Sequence, residues 1–259
     1  MTLKATAASG VLTLALARPE ARNALSPDLV AALLDALSRA AADDAARVVV
    51  LAAEGSVFCA GGDAKDMAAR KGDPLATKTR QERGFGALAR ALLTFPKPTV
   101  ARVQGDALGA GLGLVLACDF AVVADHARLG ATFAKMALAP DTGASWTLPR
   151  IVGLRAAREL VLSAEPIDAR RAFALGLASD VVPAADLDAR VAALAGRLAE
   201  GPTRAYGLAK RALLSGAGSG LDEALALEAT LQALAFTTRD QAEAVDAFLA
   251  KRTPRFEGR

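Results

Sequence analysis

Two stretches decide how this chain folds: Phe58-Cys59-Ala60-Gly61-Gly62-Asp63 and Gly105-Asp106-Ala107-Leu108-Gly109-Ala110-Gly111-Leu112-Gly113. Each follows a strand-like run, Val48-Val49-Val50-Leu51 before the first and Thr99 to Val103 before the second. Each leads into a helix-like segment. Strand, glycine-rich loop, helix, strand is the pattern of right-handed parallel β units.

The same alternation extends outward. Val11 to Leu16 reads as a strand. Ser26-Pro27-Asp28 opens a helix with a capping hydroxyl, Pro at the first helical position and an acid in the first turn. Leu29, Leu33, Leu34 and Leu37 follow at helical spacing. A longer helix is predicted from Lys78 to Leu93, ended by Pro96 and Pro98, and Asp63 opens a shorter one. Phe120 to Val123 is another strand, and from about Ala184 onward the pattern is helical, with breaks at Gly201-Pro202 and Gly216 to Gly220. No linker or repeat interrupts the chain. The reading is an α/β core over residues 1–195 and a helical region over 196–259.

Composition narrows the function. Of 259 residues, 53% are hydrophobic, which excludes a disordered chain. The net charge is only +3 and the signs are mixed, without the basic stripe of a nucleic-acid binder. The longest apolar stretch, Ala107 to Ala124, is broken by Asp119 and glycines and does not read as a membrane span. The first residues lack the apolar core of a signal peptide, so a cytoplasmic location is expected. Cys59 and Cys118 match no metal spacing and read as reduced, packed thiols, so no metal is expected. His126 is the sole histidine and falls in a turn, which argues against a Ser-His-Asp triad.

The glycine loops carry the chemistry. Small residues let backbone N–H groups approach a ligand, and a helix N-terminus adds partial positive charge. A dinucleotide fingerprint fails, because the position of its third glycine is Leu114; a phosphate-binding P-loop fails, because no Gly-Lys-Ser/Thr follows either loop. Two readings stand: glycines that permit close packing, and two backbone donors converging on one oxygen as an oxyanion hole.

Arg18-Pro19-Glu20-Ala21-Arg22-Asn23-Ala24-Leu25, the loop from Phe58 to Met67, the run from Pro96 through Gly111 to Asp119, and Phe248 to Arg252 with Pro254 and Phe256 together resemble, in order, the motifs of the crotonase (enoyl-CoA hydratase/isomerase) superfamily. The resemblance implies a spiral of ββα units with a C-terminal helical trimerisation region, assembling as a homotrimer or as a hexamer of two trimers. It implies an acyl-CoA thioester as ligand and no separate cofactor, since coenzyme A is part of the substrate. Gly62 and Ala110 would then offer N–H groups to the thioester oxygen. Ala60 would present its backbone to the adenine. Arg22, Lys65 and Asp63 would lie at the CoA site, and Phe248 and Lys251 would reach a neighbouring subunit's ligand.

One departure matters. Family hydratases use two glutamates to activate water, and their positions here fall on Gly113 and Phe133. Neither can move a proton. A carboxylate survives at Asp141, at the start of a predicted helix, where double-bond-shifting relatives resemble this chain. Asp141 reads either as the acid/base of an isomerase or as a helix cap. Trp146 reads as lining the acyl pocket or as packed core, and Asp66 and Glu82 as edging the pocket or solvated. The expected activity is double-bond isomerisation of an enoyl-CoA. The competing readings are a hydratase with a relocated acid/base and a non-catalytic acyl-CoA binder. A dehalogenase is disfavoured, because Arg90 to Phe95 lacks the histidine those enzymes use.

Overall fold

Val48 to Ala53 is buried at every position, as a strand covered on both faces must be. In the computed structural model, which describes residues 2–259, it is the third strand of a six-stranded sheet. The strands are β1 (Leu3–Ala8), β2 (Val11–Leu16), β3 (Val48–Ala53), β4 (Thr99–Val103), β5 (Ala107–Leu108), β6 (Phe120–Ala124), β7 (Arg128–Gly130), β8 (Ile167–Asp168) and β9 (Asp180–Val182). The main sheet has the order β1-β2-β3-β4-β6-β9, and β5-β7-β8 form a small second sheet. Only the β1–β2 hairpin is antiparallel in the main sheet. Its two-residue turn, Ser9 and Gly10, has φ of 49° and 79°, the geometry that matches the right-handed twist of paired strands.

Helices complete the units: α1 (Pro27–Ala42), α2 (Ala64–Ala69), α3 (Pro74–Arg80), α4 (Ala87–Leu93), α5 (Ala110–Ala117), α6 (Ala144–Ser163), α7 (Ala169–Ala174), α8 (Leu187–Glu200), α9 (Thr203–Gly216), α10 (Leu221–Ala235) and α11 (Arg239–Leu249). α1 starts as its sequence dictates, with Ser26 Oγ accepting from Leu29 N at 3.3 Å. Its stripe Leu29, Leu33, Leu37 and Ala40 is buried in the core. The helix predicted from Lys78 instead begins at Pro74, capped by Asp73, and passes through a π-helical turn at Gln81–Gly86 before α4. The strands β1, β5, β7, β8 and β9 were not predicted: they are short, or, like β1, exposed along most of their length.

The division expected at 195/196 falls inside α8. That helix lays Leu187, Val191, Ala195 and Ala199 against the main sheet, so by packing the core ends at Gly201-Pro202. The helices beyond are tied back by polar bonds. Arg47 donates to Gly201 O at 2.6 Å, Thr203 Oγ1 at 3.1 Å and Phe256 O at 3.0 Å. Lys210 Nζ meets Asp119 at 2.7 Å and Lys97 O at 2.9 Å. These cations line a cavity of about 610 Å³ between core and C-terminal helices, whose bonds are spent on holding the fold.

Large apolar side chains remain exposed on the C-terminal helices (Leu221, Leu225, Phe236, Phe248, Leu249) and on α6 (Ile151, Leu154, Leu162). Among the described residues no helix is long and apolar enough to cross a membrane. Cys59 and Cys118 are free, and burial pushes each thiol up to about 12, which makes them inert packing residues.

Candidate active site

The loops after β3 and β4 lie side by side. Cys59 N donates to Asp106 O at 3.2 Å and Leu108 N to Cys59 O at 2.9 Å, a short parallel bridge between them. Two glycines make that approach possible. A Cβ on Gly105 would stand 1.9 Å from Ser56 O, and one on Gly111 would stand 2.3 Å from Cys59 O. The packing reading of the glycines is therefore right for these two.

The neighbouring residues, Gly62 and Ala110, are free of such packing bonds at their amides. Among the described residues, neither the Gly62 N–H nor the Ala110 N–H has a protein acceptor. Ala110 is the first residue of α5, where the amide is an orphan of the helix start. A Cβ on Gly61 would lie 3.7 Å from Ala110 N, so the two donor segments are in contact. The left-handed φ of Gly61 (106°) and of Gly109 (54°) turns the backbone to present them. Two adjacent unpaired amides, one at a helix N-terminus, can bind one anionic oxygen. Met67 and Phe85 wall this spot, with Met67 Cε 2.5 Å and Phe85 Cζ 3.7 Å from where a Gly62 Cβ would sit.

A buried frame holds the first loop. Asn23 is fully buried, donates to Glu54 O and Val57 O at 2.8 Å each, and accepts from Arg18 N at 2.9 Å. Arg18 also pairs with Asp63 at 2.9 Å. Asp63 caps α2 through Lys65 N and Asp66 N. Its carboxyl is opposed by burial, but the Arg18 guanidinium and the two amides hold it below its ordinary value. Asp63 is thus a frame residue whose oxygens are engaged by the protein. Sequence reasoning missed the roles of Arg18 and Asn23, for which no local spacing gives a signal.

Of the residues expected at the CoA site, Arg22 and Ala60 are in direct contact. Ala60 N donates to Arg22 O at 3.0 Å. Arg22 is exposed at the left-handed end of a short turn (φ 51°), and Lys65 is exposed in the first turn of α2. Asp66 is not a solvated charge: Arg70 and Arg80 both pair with it, at 3.1 and 3.0 Å.

Asp141 lies in a cavity of about 620 Å³ between the π turn and the segment Leu138 to Gly143. Glu82, Gly86 and Arg90 line one side and Asp141 the other. Asp141 does not cap α6. Its Oδ2 accepts from Gln81 Nε2 at 3.1 Å and its Oδ1 from the Thr142 hydroxyl at 2.9 Å, while its backbone carbonyl receives Ala144 N at 2.8 Å. The left-handed pair Thr142 (φ 49°) and Gly143 (φ 74°) turns the chain so that the side chain faces the cavity. Burial pushes the carboxyl above its ordinary value, against the pull of Gln81, Thr142 and the Arg80 charge. A carboxylate destabilised in this way is a stronger base than an exposed one.

Gly113 has a physical reason to lack a side chain. Its Cβ would lie 2.7 Å from Thr142 Cβ and 2.8 Å from Thr142 O. Phe133 is buried in the core. One expectation needs correction. Trp146 neither lines it nor packs in the core; it is exposed, with Arg150 stacked 4.0 Å from its ring. Phe248 and Lys251 stand exposed at the end of α11, away from this chain's own cavity. His126 is exposed beside Asp125. Among the described residues no group of three or more His, Cys, Asp or Glu is placed to hold a metal ion.

Residues 6–259 match the family model described as Enoyl-CoA hydratase/isomerase. The chain is 38% identical to 1,2-epoxyphenylacetyl-CoA isomerase of Escherichia coli strain K12, over 96% of each chain. It is 39% identical to 2,3-dehydroadipyl-CoA hydratase of the same organism, again over 96% of each. An enoyl-CoA hydratase structure from Bacillus anthracis superposes with a TM-score of 0.92 at 31% identity, covering all of both chains. The names of these relatives divide between isomerase and hydratase.

Proposed function

The chain belongs to the enoyl-CoA hydratase/isomerase family, the crotonase superfamily, and on that premise we propose that it shifts the double bond of an enoyl-CoA thioester, with Asp141 as acid and base. The thioester oxygen is held by the N–H groups of Gly62 and Ala110. That acidifies the carbon between the carbonyl and the double bond of a 3-enoyl-CoA. Asp141 takes a proton from C2, and the electron pair of the C–H bond delocalises into a dienolate whose charge rests on the thioester oxygen. The same carboxyl then returns its proton at C4, giving the 2-enoyl-CoA. No water is added and no second acid is required.

The observation that carries this reading is the clamped carboxylate of Asp141 combined with the filled space at Gly113. Thr142 fills the space into which a side chain at position 113 would project. A second reading is favoured by one feature: Glu82 lines the same cavity, held only by a loose 3.7 Å pair to Lys78. Two carboxylates there would suit a hydratase with a relocated acid/base pair. A non-catalytic thioester binder would turn over nothing.

The CoA moiety is assigned to Arg22, Ala60 and Lys65. Phe248 and Lys251 are assigned to a neighbouring subunit's ligand in a homotrimer or hexamer, in which the exposed apolar residues of α10, α11 and α6 are covered. Sedimentation velocity distinguishes the two assemblies from a monomer. A cytoplasmic location belongs to the same proposal and is tested by cell fractionation. The activity is tested with 2-enoyl, 3-enoyl and dienoyl-CoA thioesters. Isomerisation abolished by Asp141→Asn, with thioester binding kept, is expected. Efficient hydration of crotonyl-CoA, lost on Glu82→Gln, would favour the second reading.

A further inference from the structure

The segment Arg80-Gln81-Glu82-Arg83-Gly84-Phe85-Gly86 is not an ordinary piece of helix. It makes a π turn between α3 and α4, and such turns concentrate at functional sites. In an uninterrupted α-helix, residues 81 and 86 would point about 140° apart. The wider turn brings them towards one face, and both line the cavity that holds Asp141. Two glycines make room for it. A Cβ on Gly86 would press to 3.0 Å on the Gln81 carbonyl oxygen, and one on Gly84 would stand 2.1 Å from Arg80 Nη1. The space over Gly84 lets Arg80 fold across it, where it donates to Asp66 and Leu25 O and stacks 4.5 Å from the Phe85 ring. The turn is thereby pinned on one side by Arg80 and opens Gln81 to the other.

What Gln81 meets there is Asp141, 60 residues away, at 3.1 Å. An ionised carboxylate only accepts hydrogen bonds, so the amide presents its nitrogen. Thr142 holds the second oxygen at 2.9 Å. With one donor on each oxygen, rotation of the carboxylate about its last bond is arrested. About four lone-pair directions exist on a carboxylate, and these two bonds leave the others for substrate.

We propose that Gln81 is a positioning residue for proton transfer: its side-chain amide, delivered by the π turn, clamps Asp141 jointly with the Thr142 hydroxyl so that one carboxylate faces both ends of the migrating double bond in a fixed orientation. This rests on Asp141 being the acid/base. It also assigns the turn a purpose, because a straight helix would carry Gln81 away from the cavity. The clamp also tunes the acid. A donor bonded to the anion favours ionisation, opposing the effect of burial on Asp141. Without Gln81 the carboxyl holds its proton to higher pH and swings more freely.

The test uses the full-length protein and two readouts. The first needs no substrate: the Asp141 carboxyl is titrated by ¹³C NMR in carboxyl-labelled protein, its resonance assigned by its loss in Asp141→Asn. The second is kcat and KM for trans-3-hexenoyl-CoA as a function of pH. Gln81→Leu should move the Asp141 titration, and the acid limb of kcat, to higher pH. It should lower kcat about tenfold or more while KM stays within about twofold. Gln81→Glu should give a bell-shaped profile where the wild type has a plateau. With one proton between Glu and Asp141 the pair mimics the amide clamp, and with none the two anions repel.

An unmoved titration in Gln81→Leu overturns the proposal. Should that variant not fold, Gln81→Glu decides alone: a bell supports the clamp and a wild-type profile overturns it. Asp141→Asn separates the two levels. If it retains turnover, the acid/base assignment fails and the clamp with it. If it is inactive while both Gln81 variants behave as wild type, only the clamp fails.

Discussion

The two halves of the proposed site are built from different materials. The oxyanion half is backbone: amides of Gly62 and Ala110, placed by loops at the ends of the parallel strands β3 and β4. The proton-transfer half is side chain: Asp141, with Gln81 and Thr142 donating to it across a cavity between a π turn and a left-handed loop. Backbone chemistry demands particular φ values and close approaches, so it leaves glycines behind in the sequence. Side-chain chemistry demands only that distant residues converge, and it leaves no local pattern.

This contrast can be broken by experiment, beginning with the largest effect. Asp141→Asn should reduce isomerisation by about a thousandfold, within the range for loss of a general acid/base, with thioester binding by calorimetry nearly unchanged. Gly111→Ala should act through the other half. Its methyl would collide with the Cys59 carbonyl, displacing the Ala110 amide, so kcat should fall about a hundredfold. Because backbone has to move, urea unfolding should also show a loss of about 3 kcal/mol, the upper end for overpacking. If kcat survives Gly111→Ala, the two halves are less separate than their materials suggest.

Gly113→Glu sharpens the comparison. If the missing glutamate were a simple deletion, restoring it would bring hydration of crotonyl-CoA. The expected outcome is no hydration and a less stable protein, because the new side chain would meet Thr142.

The pH dependence gives a smaller effect with a definite sign. Burial raises the Asp141 carboxyl in the folded chain, so the fold binds that proton more tightly than the unfolded chain does. This contribution to stability is complete in acid and is lost as pH rises through the folded-state titration. Asparagine does not ionise. Asp141→Asn should therefore melt higher than wild type at neutral pH, and the gap should close in acid, as differential scanning calorimetry would record. The acid limb of kcat/KM should lie above that of an exposed carboxylate. Smallest of all, Trp146→Ala should change kcat/KM by less than about twofold and stability by no more than about 1 kcal/mol, the scale of its cation–π contact.

The same division explains what could be read from the sequence. β2, β3, β4 and β6 were legible because their runs are apolar and β-branched, and α1 because Ser26-Pro27 marks its start. Gly61, Gly62 and Gly109 to Gly113 marked the loops. The two amides that the family resemblance singles out, of Gly62 and Ala110, are ones without a protein acceptor. β5, β7 and β8 carry two or three residues each, too few for a period to register. The π turn was hidden because periodicity assumes one residue spacing throughout. The sequence singles out Asp141 as a candidate but not the Gln81 amide that bonds to it. Gln81 lies in a different element, and nothing near position 141 announces it. Trp146 was misplaced because helix phase across the left-handed pair Thr142-Gly143 cannot be projected from the residues alone.

Thr142 packed against Gly113 also bears on how such a site can change over generations. A glutamate at 113 is not one substitution away in any useful sense, since it collides with the backbone of the loop that presents Asp141. A chain taking a glutamate at 113 would have to reshape that loop, and with it the orientation of Asp141. Positions 113 and 142 are therefore free to change only together.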